Sequence, residues 1–375
     1  MLGREVVIDR KVTQENIYGG RVEGNGTATS NAVRINNASV KNVIGGVVNV
    51  GDTSTVVSSN IVRIVGGKVE GEVYGGKCFQ RGKVDGNEVE IINAYIKGDV
   101  YGGRIESNNE GATERIVREN KVSIEGGGVE GNVYGGSGPG GGNVVELKGS
   151  PKFGKETMIF GGGRGGILNI ETQGQIVVSG ITDFENYNFN KVRVNEPAKI
   201  KVVGTSKYMM GFWKVDLEKA VVVVVGKAEG EVKEGDRVNL IEAEDGVTQA
   251  KSIEMYKGSG LVKLIHERIG TQKELSLKIK GQEATPQAQK INEVGATGLI
   301  VVGQGLGFLA EKGIEEAVGA VKGKRGVEVF VGVEGESSKY KSGIEMSIEG
   351  VRAVGGIAKS MKEGEVVIGG YVEHG

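Results

Sequence analysis

One cysteine, two histidines, one tryptophan and four prolines are all that these 375 residues hold of those types. A single cysteine excludes a disulfide framework. Cys78, His266 and His374 share no ligand spacing, so no metal site of the usual zinc kind is expected. Scarce proline, with glycine off any three-residue period, excludes collagen. No charge sign dominates: 47 basic against 48 acidic residues give a net charge of −1. Without a broad basic field, nucleic acid is not an expected partner. No run of 18 apolar residues marks a membrane helix. The opening MLGREVVIDRKVTQEN carries no apolar stretch behind a basic start, so no secretory signal peptide is read in this chain.

Glycine is what the chain has in excess: 67 residues, about 18 % against an ordinary usage of roughly 7 %. With 38 % hydrophobic residues, many of them Val and Ile, generic disorder is not the consequence. The glycines instead mark a repeat. An apolar or aromatic residue precedes Gly-Gly at Tyr18, Ile44, Tyr74, Tyr101, Tyr134 and Phe160, at steps of 26, 30, 27, 33 and 26 residues. Five of these are preceded by an Asn that opens an alternating strand: Asn31, Asn60, Asn87, Asn120 and Asn143. The offset from Asn to the aromatic position is 13, 14, 14, 14 and 17. Most length variation falls after the Gly-Gly pair.

Alternate residues of a strand point to opposite faces. Val33/Ile35, Val62/Ile64, Val89/Ile91 and Val122/Ile124 therefore share one face, with Arg, Glu, Lys or Ser on the other. One such unit cannot bury its apolar face, but stacked units can. The period fits one turn of a parallel β-solenoid with two or three short strands and a variable loop. A propeller blade needs about four strands in 40 or more residues, which is too long. The Asn column is expected to form an amide ladder, the Tyr column a ring stack, and the Gly pair a positive-φ turn or a close backbone approach.

Past Gly166 the period fades, but strand-like segments continue to about residue 283. The aromatics Phe184, Tyr187, Phe189, Tyr208, Phe212 and Trp213 gather there. A repeat array needs a dissimilar end, and this stretch is read as that cap. Thr285-Pro286 then opens a helix-like, glycine-rich stretch. From Val327 the alternation returns in segments of about ten residues joined by short turns, the weak signature of a membrane β-barrel.

Three stretches resemble the C-terminal part of type V autotransporters. ITDFENYNF (181–189) with GDRVNLIEAEDG (235–246) looks like a passenger junction. QKINEVGATGLIVVGQGLGFLAEKGIEEA looks like a linker helix. The segment from Phe330, with Gly335, Ser338, Tyr340, Gly343 and Tyr371 to Gly375, is similar to the start of a translocator barrel. The resemblance spans 181–375 and extends to the repeats only by architecture. It implies an all-β chain. A repeat β-helix passenger of about six coils occupies 1–166 and a C-terminal passenger cap 167–283. A Gly-rich linker helix follows over 284–323, then the first strands of an incomplete antiparallel membrane barrel over 324–375. The implied protein is a surface-displayed, non-enzymatic, adhesin-like passenger at the outer membrane. Its partners would be outer-membrane lipid, once the barrel is complete, and an unidentified host-cell or extracellular ligand. With most barrel strands and the signal peptide missing, the chain reads as a fragment or a truncated gene.

Sharper chemical readings are weaker. GLIVVGQGLGF followed by Glu328 has a dinucleotide-site flavour, but it reads GxGxG and lacks the βαβ units such a site needs. Parallel β-helices also include carbohydrate-active enzymes, which need two carboxylates on neighbouring strands. Glu88 and Glu90, with Arg34 and Arg63 one or two coils away, read as a charge-paired wet face instead. The GDSG context of passenger proteases is absent. Cys78 and His266 read as a packed thiol and a strand histidine. No catalytic, cofactor or metal residue is assigned.

Overall fold

The computed structural model describes residues 3–10, 15–106, 115–204, 215–226, 232–257, 262–286, 327–341, 345–361 and 364–374. The chain divides into two units, 1–285 and 286–375. Every regular element among the described residues is a strand. The first unit is a parallel β-solenoid of about eight turns.

One turn shows how it is built. From Asn60 the chain runs along Ile61–Val65, turns at Gly66-Gly67, and passes Lys68–Val69 and Val73–Phe79. It then takes Gly82–Asp85 to reach Asn87. Each strand pairs in parallel with its counterpart one turn on: Val62 with Val89, Val69 with Ile96, Tyr74 with Tyr101, Val84 with Val117. A turn therefore has four strands where two or three were expected. The extra one is a two-residue strand, too short to leave a periodic signal.

Two corners of the turn are made by residues in the left-handed region. One directly precedes each column Asn: Ser30, Ser59, Gly86, Glu119 and Gly142 have φ of 54–66°. The other follows each long-sheet strand, at Asn37, Gly66, Asn93 and Gly126. Glycine enters this conformation freely, and Asn does so more readily than most residues. The Gly-Gly pair after the aromatic is not a corner. Gly75 and Gly76 lie within the strand Val73–Phe79 and serve close approach. A Cβ on Gly75 would sit 2.4 Å from the Gly102 carbonyl oxygen, and one on Gly76 would sit 2.6 Å from Asn87 Nδ2.

The reason is the Asn column. Asn60, Asn87, Asn120 and Asn143 are fully buried, and Asn31 nearly so. Each Nδ2 donates to the Oδ1 of the next turn: Asn31 to Asn60 at 2.8 Å, Asn60 to Asn87 at 2.8 Å, Asn87 to Asn120 at 2.9 Å, Asn120 to Asn143 at 3.1 Å. Each of these Oδ1 atoms also accepts the backbone N–H of the preceding Asn. The second amide proton of Asn60, Asn87 and Asn120 goes to a carbonyl one turn back, at Ala28, Val57 and Val84. Buried amides are tolerated when satisfied in this way. The column stands between two apolar clusters. The main one contains the Val and Ile pairs of the long sheet, which have no exposed surface. The smaller one is built from Ala28, Val48, Val57, Cys78, Val84, Ile105 and Val117.

The parallel ladder runs on past residue 166. Val144–Gly149 pairs with Ile167–Thr172, which pairs with Asn186–Val192, then Val221–Gly226, then Ser252–Lys257. The Asn position is filled there by Gly166, Glu185, Ala220 and Lys251, still joined by backbone hydrogen bonds. Larger side chains, Tyr187 and Phe189, take the inner positions of Val and Ile. Tyr208, Phe212 and Trp213 lie outside the described residues. The C-terminal edge ends in antiparallel strands Val262–Ile269 and Glu274–Ala284. They join Ser252–Lys257 on one side to Arg237–Ala243 on the other.

The expected linker helix lies almost wholly outside the described residues, and its first residue, Ala284, ends a strand. In the second unit, Val327–Lys341, Glu345–Met361 and Gly364–His374 form an antiparallel meander.

The amide ladder makes a quantitative demand. Asn87→Ala leaves the Asn60 backbone N–H and one Asn60 amide proton without their acceptor. It should cost about 2–4 kcal/mol in denaturant unfolding. Asn36→Ala removes an exposed bond to Asp9 and should change stability by no more than about 0.5 kcal/mol. Similar losses for the two would show that the ladder does not hold the coils.

Candidate functional site

The outward positions of the long sheet carry charges in rows. Arg34 pairs with Glu5 at 2.6 Å and Arg63 with Glu90 at 2.7 Å. Lys121 bridges Glu88 at 3.5 Å and Glu146 at 3.3 Å, and Lys148 reaches Glu146 at 3.0 Å. Burial works against the Glu146 charge, but Lys148, Lys121 and the Ser123 hydroxyl outweigh it and hold its pKa below the ordinary range. Glu88 and Glu90, the carboxylates considered for sugar chemistry, are thus each engaged by a cation. Exposed pairs of this kind contribute about 0–1 kcal/mol each. They match the wet side of neighbouring turns rather than form an acid–base couple.

The aromatic column lies on the seven-stranded sheet. Tyr74, Tyr101, Tyr134 and Phe160 stack with centroids 4.9, 4.6 and 4.5 Å apart and planes within about 6° of parallel. Cations lie over the faces: Lys77 is 4.4 Å from the Tyr74 centroid and Arg104 is 4.6 Å from that of Tyr101. The hydroxyls are also engaged, Tyr74 donating to Glu72 at 2.5 Å and Tyr101 to Asp99 at 2.8 Å. Tyr74 and Tyr101 keep 2 % and 4 % of their surface exposed. Rings stacked on each other offer no free face for a sugar, so this column works as structure.

Carboxylates do gather in a cleft of about 570 Å3 beyond the last column Asn. Asp183, Glu185, Asp216 and Glu218 line it, with Arg164 and Lys219. Asp183 is held at φ 64°. The Asp216 carboxylate accepts the Thr248 hydroxyl at 2.9 Å and the Glu218 N–H at 3.0 Å. Phe184 also borders this cleft, but it is 6 % exposed and packs edge-on against Tyr187 at 5.8 Å. The cleft can hold a hydroxylated or cationic molecule, without an aromatic floor. No alternation or motif announced it, because its residues come from three turns of different length.

Cys78 is fully buried in the smaller cluster. Desolvation, with a smaller contribution from Asp52, pushes its thiol up to about 12. His266 lies in the strand Val262–Ile269, its Nδ1 3.3 Å from the Leu264 carbonyl. No group of three or more metal-ligating side chains occurs among the described residues. The glycine-rich GLIVVGQGLGF lies outside them, and Glu328 belongs to the antiparallel meander. No family model matches this chain, and neither curated proteins nor solved structures give a match.

The buried thiol and phenols fix the sign of an alkaline effect. Burial raises the pKa of Tyr74, Tyr101, Tyr134 and Tyr187 as well as Cys78. The unfolded chain releases these protons first, so stability is intact below about pH 9 and falls as pH rises from there. Denaturant melts from pH 8 upward should show the fall, and Cys78→Ala should reduce it between pH 9 and about 12. A flat profile would refute the burial account.

Proposed function

We propose that this chain is a display scaffold of the autotransporter kind: a non-enzymatic, adhesin-like passenger joined to part of an outer-membrane translocator. The observation that carries the reading is the pairing of two β architectures in one chain. A parallel solenoid closed by antiparallel strands is followed by a separate unit of three antiparallel strands of 15, 17 and 11 residues. Strands that cross a bilayer need about 9–11 residues at a tilt of about 45°. The resemblance of 181–375 to passenger junction, linker and barrel opening supports the same reading. In it the outer-membrane lipid is met by the barrel strands, and a partner on another cell or surface is met by the solenoid exterior.

The barrel part has a two-sided test. Val329 lies opposite Ile357 and Glu328 opposite Ala358. In a chain extended to a closed barrel of at least about eight strands, Val329 faces lipid and Glu328 the lumen. Val329→Arg should then cost about 2–4 kcal/mol near the bilayer midplane and block heat-stable membrane assembly. Glu328→Arg should assemble normally. Equal behaviour of the two removes the barrel reading.

A second reading, a carbohydrate-active β-helix, is favoured by the carboxylate cleft at Asp183, Glu185, Asp216 and Glu218. Against it stand the exposure of Asp183, Asp216 and Glu218 and the burial of Phe184 away from any substrate. The display reading expects no turnover of acidic or neutral polysaccharides by the purified chain. Reducing ends or unsaturated products that vanish in Asp183→Asn or Glu185→Gln would reverse the order of the two readings.

A further inference from the structure

A second cleft, of about 630 Å3, opens at the corner that follows the long-sheet strands, beside Thr172 and Gln173. Four cations line it, Lys148, Lys191, Arg193 and Lys199, against two carboxylates, Glu125 and Glu171. Surface cations here are matched: Lys148 pairs with Glu146, Lys191 with Glu171 at 2.5 Å, and Arg193 with Glu196 at 3.3 Å. Lys199 differs. It is 3 % exposed, the one buried side chain with a formal charge among the described residues. Its ammonium carries three donors. Its contacts are long, 3.3 Å to the Thr172 carbonyl and 3.4 Å to Glu196 Oε2.

The second underused group is next to it. Thr172 is also 3 % exposed, and its hydroxyl has no hydrogen-bond partner. Nine-tenths or more of buried polar groups are satisfied, and an orphan calls for a cause. A buried hydroxyl without an acceptor and a buried ammonium with a spare donor border one cleft lined by four cations and two carboxylates, with Glu146 and Glu196 pairing Lys148, Arg193 and Lys199 from outside that lining. The hydroxyl has no acceptor, and the ammonium has two acceptors for its three donors, so each has one bond to give. A ligand that supplies two or more acceptor oxygens and a negative charge answers both, and bonds to such a group are stronger than neutral ones.

We propose that this cleft binds a compact oxyanion, a carboxylate, sulfate or phosphate group, through the Lys199 ammonium and the Thr172 hydroxyl, with Lys191 and Arg193 at its rim. The anion is either free or borne by an acidic sugar. The site is independent of the display reading and of the carboxylate cleft.

Titration calorimetry on the full chain, at ionic strength held constant with chloride, tests it. The probes are sulfate, inorganic phosphate, glucuronate and glucose. Saturable heat is expected for at least one anion, and none for glucose. A response to glucuronate alone identifies a sugar-borne carboxylate, and a response to sulfate or phosphate identifies a free or ester-linked anion. Thr172→Val keeps the shape and removes an unsatisfied hydroxyl, so it should fold at least as well while weakening binding about tenfold, the worth of one charge-assisted bond. Lys199→Gln should abolish binding. Absence of saturable binding by all three anions, or unchanged affinity in folded Thr172→Val, overturns the proposal.

Discussion

A buried carboxamide has four hydrogen-bonding positions that a Val or Ile core cannot fill, and the coils fill them only by stacking in register. In this solenoid the Oδ1 of Asn87 serves two donors of Asn60, while its Nδ2 serves Asn120 ahead and Val57 behind. A slip of one residue would turn the amide away from the column and strand it in apolar surroundings, at about 1–3 kcal/mol for each unmet group. Hydrophobic burial favours compact stacking of any register; the amide column selects one. Its other requirements follow. The facing strand must be bare, which is why glycine occupies positions 75 and 76. The chain must also turn sharply into each Asn, which is why the residue before it is left-handed even where it is Ser59 or Glu119.

These couplings explain what could be read in advance. The Asn and aromatic columns were legible because each position repeats one residue type and the segment between them has nearly constant length. The longer offset of 17 before Phe160 reflects extra residues around Gly149–Pro151 and Gly154–Thr157, which leave both columns aligned. The alternation of Val and Ile gave the inner face correctly, since Val89 and Ile91 have no exposed surface. The Gly-Gly pair was ambiguous between a turn and a close approach because either use removes the Cβ, and only its distance to the amide decides. Strands of two residues, such as Lys68–Val69, carry too few positions to show a period. The wet-face reading of Glu88, Glu90, Arg34 and Arg63 held because each finds an opposite charge one coil away: Glu90 directly beside Arg63, Glu88 directly beside Lys121, and Arg34, which lies beside Arg63, by reaching across to Glu5.

The clefts were not legible, and the cause is the same constraint seen from its far end. Asn143 donates to the Gly162 carbonyl at 2.6 Å, and no amide follows it. Beyond that point the backbone ladder alone sets the register. The spacings between successive column positions become 19 residues from Gly166 to Glu185, 35 to Ala220 and 31 to Lys251. Turns of unequal length cannot keep their outer corners flush. The two clefts lined by Asp183 and by Lys199 lie along this stretch. Sequence periodicity finds what repeats, and these sites are made where repetition stops.

The division also separates two energetic roles. In the ladder turns the column amides are committed to neighbours one turn away and have nothing to give to a ligand. In the later turns the Asn positions carry Gly, Glu, Ala and Lys, which impose no such commitment. The core is kept instead by apolar packing alone, through Tyr187, Phe189, Val222 and Val224. Apolar packing is not directional, so it permits corners to diverge without loss of the core. That freedom is what leaves a lysine and a threonine buried near a cleft with bonding capacity to spare. A scaffold whose early turns are fixed by amides and whose later turns are fixed by packing can vary its surface at one end while the other holds its register.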